Sequence, residues 1–331
     1  MGSSDGKANS KSIKRAFIGL LLKVSGNVNA DAGVGTRIPL KKIITMNKEI
    51  KAFVSSRCIR RAIRKRMQEH GLSVDPMYVQ NKRLYDVADP IKYVDDDLFG
   101  YLAPGEVTSR SASIKISPLI ALRHTEIKVE FAARFPRYDF IKNAPKEFPT
   151  PFEVEVAEWI GRLNVIISDR VGRFHKDELT TEVIEKIKNK EKEYSNVTLD
   201  KNSNEYVLEK TERANRLSTF LGILLREGWE FPRGSQSPNV PDYHYCVVVL
   251  SDRFLPIFGY VDINDDGTFN TELFNNMLMQ YRGLYGNVIV IDYKLGKAKF
   301  YNSNAQLSSE KKLDDTVWAE IIEEITRYII E

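Results

Sequence analysis

KRAFIGLLLKVSG, residues 14–26, opens with basic residues, runs through an unbroken apolar centre and closes on Ser-Gly. Its apolar positions are consecutive rather than at helical spacing, and turn-forming residues end it, so it reads as a central buried strand. The apolar part, AFIGLLLKV, is far too short to cross a bilayer, which takes about 20 residues. No signal peptide is visible.

Outward from this strand, NVNADAGVGTR (27–37) is a loop of small and polar residues that leads into PLKKIITM. Gly33 and Gly35 let the backbone approach a ligand closely, and Lys41 and Lys42 stand just beyond. A lone GxG lacks the Gly-Lys-Ser/Thr of a phosphate loop and is weak by itself. Next comes VSSRCIRRAIRKRM (54–67), with six basic side chains and no acid. At about 100° per residue, Arg57, Arg60, Arg61 and Arg64 fall within one sector of a helix, with Ile59, Ala62, Ile63 and Met67 on the other side. Ser55 or Ser56 supplies the N-cap. The like-charged pairs Arg57/Arg61, Arg60/Arg64 and Arg61/Lys65 repel one another, which an ordinary solvated face avoids by mixing signs. The stripe therefore predicts an anion-binding face.

Charge over the whole chain supports that reading. The 331 residues carry a formal net charge of +4. Between Arg37 and Arg66, eleven Lys and Arg face a single acid, Glu49, for a local +10, so the remainder sums to −6. A basic surface concentrated in one place on a nearly balanced protein points to a polyanion docked there, with salt-dependent affinity from counterion release. Cys58 and Cys246 form no CxxC motif and read as buried thiols of a reducing cytoplasm.

Farther along, DDDLFGYLAPGEVTSRSASIKISPLIAL (95–122) begins with three consecutive acids. On a strand or turn their side chains would alternate in direction, so Asp95, Asp96 and Asp97 do not read as a metal site. Leu98 and Phe99 read as core, and SASIKIS as a half-exposed strand. Residues 123–151 alternate charged and apolar positions on both sides of FPRYDF, which predicts a two-stranded arm with a basic-aromatic tip. Arg134 and Arg137 interleave there with Phe135, Tyr138 and Phe140, a combination suited to stacking on or wedging between bases. The segment 175–210 is rich in mixed charge and reads as a solvated, partly helical insertion. TERANRLSTFLGILLREGW and DDTVWAEIIEEITRYII read as helices, HYCVVVL as a buried strand, and DINDDG as a tight turn, because Leu273 stands where a calcium loop needs its bidentate acid.

Residues 1–12 read as a flexible tail and 13–331 as one α+β domain of the RRM or ferredoxin-like kind, elaborated by long insertions. The aromatic signature of RNA-binding sheets is absent, so nucleic-acid binding would not use the sheet face. His70, His124, His175 and His244 fall in no metal or triad spacing. His124, at the base of the arm, is the one best placed for a ligand. Asp31 is the acid best placed for chemistry, but a single carboxylate is thin support for catalysis. No helix-turn-helix pattern supports a duplex-DNA regulator.

GNVNADAGVGTRIPLKKI, VSSRCIRRAIRKRM, then DDDLFGYL followed by RSASIKISPLIAL, and later PRGSQSPNVPD, in this order resemble the DevR-type CRISPR-associated proteins of the RAMP superfamily. These are the repeated backbone subunits of type I Cascade complexes, with type I-B the nearest fit. The resemblance implies an RRM-like palm, helical fingers and a β-hairpin thumb, with the thumb at about 123–151. It implies copies that line up along CRISPR guide RNA, grip its phosphates irrespective of sequence and leave the bases to pair with target DNA beside other Cascade subunits. On that reading the candidate RNA contacts are Asn27, Asn29, Arg37, Lys41, Lys42, Ser55, Ser56, Arg57, Arg60, Arg61, Arg64, His124, Arg134 and Arg137, with Phe135, Tyr138 and Phe140 as the thumb wedge. No cofactor, metal or catalytic residue is expected. The alternative is a metal-dependent endoribonuclease that cuts target RNA through Asp31, as type III relatives do with an acid in the equivalent loop.

Overall fold

The computed structural model describes residues 12–31, 33, 35–134, 150–231 and 238–331. The N-terminal part runs through β1 (Arg15–Gly26), β2 (Arg37–Ile38), β3 (Lys42–Ile44) and β4 (Ile50–Val54) into the helix α1 (Ser56–Glu69). Two short hairpins follow, β5 (Tyr78–Gln80) with β6 (Arg83–Tyr85) and β7 (Tyr101–Ala103) with β8 (Thr108–Arg110), and α2 (Val94–Phe99) lies between them. β9 (Ile114–Ile116) and β10 (Leu119–Ala121) lead to β11 (Lys128–Arg134) and the long β12 (Thr150–Ser168). After β13 (Arg173–His175), α3 (Thr181–Lys188), β14 (Val197–Asp200) and β15 (Glu205–Leu208), α4 (Lys210–Gly222) continues into a π-helical turn, Ile223–Glu227. β16 (Asp242–Ser251), α5 (Thr271–Gln280), β17 (Val288–Asp292), β18 (Lys297–Tyr301), β19 (Leu307–Lys312) and α6 (Asp315–Ile330) complete the chain.

β1 is central, as its apolar run predicts. It pairs antiparallel with β12 along its whole length, from Arg15↔Ser168 to Gly26↔Ala157, and with β16 on its other side. Among the described residues twelve strands join one sheet, whose main path is β19-β18-β17-β16-β1-β12-β10-β4-β3, with β2, β9 and β11 attached to β12. Both faces of β1 are buried because side chains alternate across a strand. Ala16, Ile18, Leu20 and Leu22 pack into the core with α1, α4 and α6, while Phe17 and Leu21 pack with α5 and the segment before it. Each such large side chain contributes about 1.5–3 kcal/mol on full burial. The architecture is α+β around a large antiparallel sheet. No helix of the described residues is long and apolar enough to cross a membrane.

Two local readings change. The three acids at 95–97 lie on a helix, α2, not on a strand or turn. The 175–210 segment, which composition paints as solvated, carries α3 but also forms with Arg173 and Phe174 a three-stranded sheet in the order β13-β15-β14. That sheet and α3 close over an apolar cluster of Phe174, Leu179, Val183, Tyr194, Tyr206 and Leu208, joined by Ile91. A few apolar side chains among many charges suffice because they converge.

Candidate nucleic-acid interface

α1 forms where its periodicity predicts. Cys58, Ile59, Ala62, Ile63 and Met67 are buried, and of the two candidate caps it is Ser55 whose Oγ accepts the Cys58 N–H, at 3.3 Å. Ser56 is the first helical residue, and the first turn holds no acid. Arg57 and Arg61 are exposed and form no ion pair with a described residue. Arg60 is half-buried with its Nε lacking a hydrogen-bond partner, and burial, then the charges of Arg64 and Arg57, weaken its hold on its proton. An anion before this face would relieve the repulsion between these guanidiniums.

The other members of the basic set are more constrained. Arg64 donates from Nε to Asp95 Oδ2 at 2.7 Å, and its guanidinium lies 5.2 Å from the centre of the Phe99 ring, so it ties α1 to α2. Lys42 donates to both oxygens of Glu155 at 2.9 and 2.8 Å, and Arg37 lies 3.0 Å from the same carboxylate. Glu155 is almost fully buried and also accepts the Leu40 N–H at 2.9 Å. Burial pushes its carboxyl up, but Lys42, the Leu40 N–H and Arg37 together outweigh that and hold it below the ordinary glutamate value. Lys41 pairs with no acid among the described residues. It and Arg61 both act on the Cys58 thiol, which burial nevertheless raises to about 11, so Lys41 belongs to the α1 side of the surface.

Glu155 also organises the loop after β1. Asn27 is buried and its Nδ2 donates to the Glu155 carbonyl at 2.7 Å, while the Asp31 N–H reaches the Pro39 carbonyl at 2.8 Å. Asn29 adopts φ 57° and is buried, with Nδ2 lacking a partner. Asn27 and Asn29 thus shape the loop, whereas Asp31 is exposed on it. Among the described residues no group of three or more His, Cys, Asp and Glu could hold a metal.

β11 and β12 form the root of the predicted arm, paired from Lys128↔Val156 to Arg134↔Thr150. Arg137, Phe135, Tyr138 and Phe140 lie outside the described residues. His124, just before β11, is exposed, and its Nδ1 accepts the Ile50 N–H at 3.2 Å, which ties it to β4 beside α1.

Sequence reasoning missed the acids that decide which cations are free. The α2 carboxylates diverge: Asp95 takes Arg64 and the Asp75 N–H, Asp96 takes the Asp89 N–H, and Asp97 takes Arg110, Arg216 and the Gly172 N–H. Asp75 in turn accepts from Met77 N and Val87 N, clamping both ends of the β5–β6 hairpin. That hairpin presents Lys82 and Arg83 beside a stacked Tyr78–Tyr85 pair, 5.7 Å between ring centres, and so adds a second basic-aromatic element. The sequence signal was the YVQNKRLY alternation about an Asn-Lys turn.

A family model described as "CRISPR-associated negative auto-regulator DevR/Csa2" matches residues 41–265, which span α1, the α2 acids, the arm root and β16. The chain belongs to the DevR/Csa2 family. A search of curated proteins finds no match. Among solved structures, a chain of a "CRISPR RNA-guided surveillance complex, pre-nicking" is similar over 94% of this chain and 100% of its own, at 13% identity and a TM-score of 0.51. A chain of another "CRISPR RNA-guided surveillance complex" aligns over 95% and 98%, at 13% identity and a TM-score of 0.48. At such identity the first of these speaks for a shared fold. The segment of this DevR/Csa2 chain that carries the basic helix therefore lies inside the family match, whereas β1 and the loop 27–37 precede it.

Proposed function

We propose that this DevR/Csa2 protein is a non-catalytic backbone subunit of a type I, I-B-like, Cascade complex. Copies line up along CRISPR guide RNA in the cytoplasm, hold its phosphates irrespective of sequence and leave its bases to pair with target DNA, alongside other Cascade subunits. The sheet with α1 then acts as an RRM-like palm, and the arm rooted on β11 and β12 as the thumb. The observation that carries this reading is the exposed pair Arg57 and Arg61 on an acid-free helix face, with Arg60 between them and Lys41 nearby. Side chains on a helix surface reach phosphates without reading bases, which suits a protein that delegates sequence choice to base pairing.

Within the basic set, Arg57, Arg61 and Lys41 are the principal phosphate ligands, while Arg37, Lys42 and Arg64 chiefly fix the loop and helix that carry them. The test is RNA binding against salt concentration. Replacing Arg57 and Arg61 by Ala should weaken binding to unrelated RNA sequences alike and reduce the log–log salt slope by about 0.7 per lost single-strand phosphate contact. Loss confined to particular sequences, with the slope unchanged, would refute the reading. The same preparation, loaded with guide RNA, should leave complementary RNA intact in the presence of Mg²⁺. Cleavage that disappears in Asp31→Ala would install the endoribonuclease instead.

A further inference from the structure

A cavity of about 350 Å³ lies on the face of the sheet away from α1, α4 and α6, toward the β17–β19 edge. The volume is at the lower end of the range for small-molecule clefts. One wall is aromatic: Tyr245 stands 5.2 Å from Phe269 at 32°, Phe269 stands 5.6 Å from Phe274, and Phe274 stands 5.6 Å from Tyr301. Register supplies the opposite rim. Asp292 on β17 lies between Tyr245 on β16 and Lys297 on β18, and Lys299 lies between Val290 and Glu310. Alternate side chains of four neighbouring strands therefore face the same space, and Thr268 and Thr271 close it from the α5 side.

The polar rim is balanced. Lys297 reaches Glu310 at 2.8 Å and Lys299 reaches it at 3.7 Å, so the two ammonium groups already share a carboxylate, and Asp292 offsets the second. A phosphate or carboxylate ligand would meet no net positive charge. An aliphatic ligand would leave the lysines and carboxylates without new partners. What matches is a flat, uncharged ring whose edge both donates and accepts hydrogen bonds.

We propose that this cavity is a nucleobase-binding site, in which the ring stacks on the Tyr245–Phe269–Tyr301 wall and its edge is read by Lys297 and Glu310. It is separate from the phosphate surface around α1, on the other face and toward the other edge of the sheet, and the proposal does not rest on that surface. The base could come from a free nucleoside or from a nucleic-acid strand, two sources that share this chemistry.

The test uses the full chain and a fluorescent probe, 2-aminopurine riboside, displaced by the four natural nucleosides. Saturable quenching of the probe and its displacement by at least one nucleoside are expected. Glu310→Gln, on the exposed rim, should weaken binding about tenfold through loss of a charge-assisted hydrogen bond. Tyr301→Ala should weaken it to a similar degree through lost stacking. A trinucleotide that competes at least tenfold better than its nucleoside would identify the source as a strand, and equal competition would identify the free nucleoside. No saturation up to the solubility limit, or saturation that Glu310→Gln leaves unchanged, would overturn the proposal. Displacement by N-acetyltryptophanamide more strongly than by every nucleoside would overturn it too, and would assign the cavity to an aromatic side chain of a partner protein.

Discussion

Removing the Asp97 carboxylate should damage the molecule more than removing any arginine of the exposed stripe. Asp97 is fully buried; its Oδ1 accepts Arg110 Nη2 at 2.7 Å, its Oδ2 accepts Arg216 Nη1 at 3.1 Å, and both oxygens accept the Gly172 N–H at 3.0 Å. Arg110 and Arg216 are themselves only 3% and 2% exposed. Breaking a buried pair by removing one partner typically costs about 3–5 kcal/mol, because the remaining charge is stranded. Here neither arginine is wholly stranded: Arg110 keeps Glu178 at 3.2 Å, and Arg216 keeps Glu212 at 2.8 Å. That places the pair losses at the low end, and the orphaned Gly172 N–H adds about 1 kcal/mol or more. Asp97→Ala should therefore cost about 4 kcal/mol or more. Urea unfolding followed by the fluorescence of Trp159, Trp229 and Trp318 measures it. Combining Asp97→Ala with Arg216→Met should cost less than the sum of the two, since the second change removes a charge that the first exposes. A cost below about 1 kcal/mol for Asp97→Ala, or strict additivity in the double variant, would refute this account of the hub.

Two other outcomes follow from named contacts. Burial, with Asp75 and Asp95 close by, pushes the Asp96 carboxyl up to about 9. An acid raised in the folded state favours folding least where the unfolded chain is already ionised, so its cost is absent at low pH and grows as pH rises from about 4 toward 9. Asp96→Asn should then raise stability at pH 8 and leave it nearly unchanged at pH 4, as read from urea midpoints at the two values. Arg66 belongs to the same helix but engages Glu69 and Glu227, the latter at 2.8 Å. Arg66→Ala should consequently change RNA affinity and its salt slope much less than Arg57→Ala, measured side by side.

Much of the scaffold was legible in local pattern. The unbroken apolar run at 16–22 could only be buried on both faces, and β1 lies between β12 and β16. The helical spacing of Ile59, Ala62, Ile63 and Met67 forced the arginines to the other side. Alternation around residues 128–134 and 150–156 gave the root of the arm. The acids at 95–97 were harder: local pattern reads them as a strand or turn, and their burial on a short helix depends on Arg64, Arg110 and Arg216 arriving from elsewhere in the chain.

Sequence by itself determined that a concentrated set of cations lies on one strand–loop–helix unit, because periodicity and net charge are properties of neighbouring residues. Only the tertiary structure decided which of those cations are available to a ligand. Arg64 and Asp95 are 31 residues apart, and Lys42 and Glu155 are 113 apart. Glu155 sits in FEVEV, where alternation alone would send it toward solvent beside Glu153. It is buried because β2 runs alongside β12 and Leu40 folds over its carboxylate, so the desolvated acid captures Lys42 and Arg37. Long-range pairing of buried acids with nearby bases thus narrows a ten-charge surface to a few exposed side chains, chief among them Arg57 and Arg61.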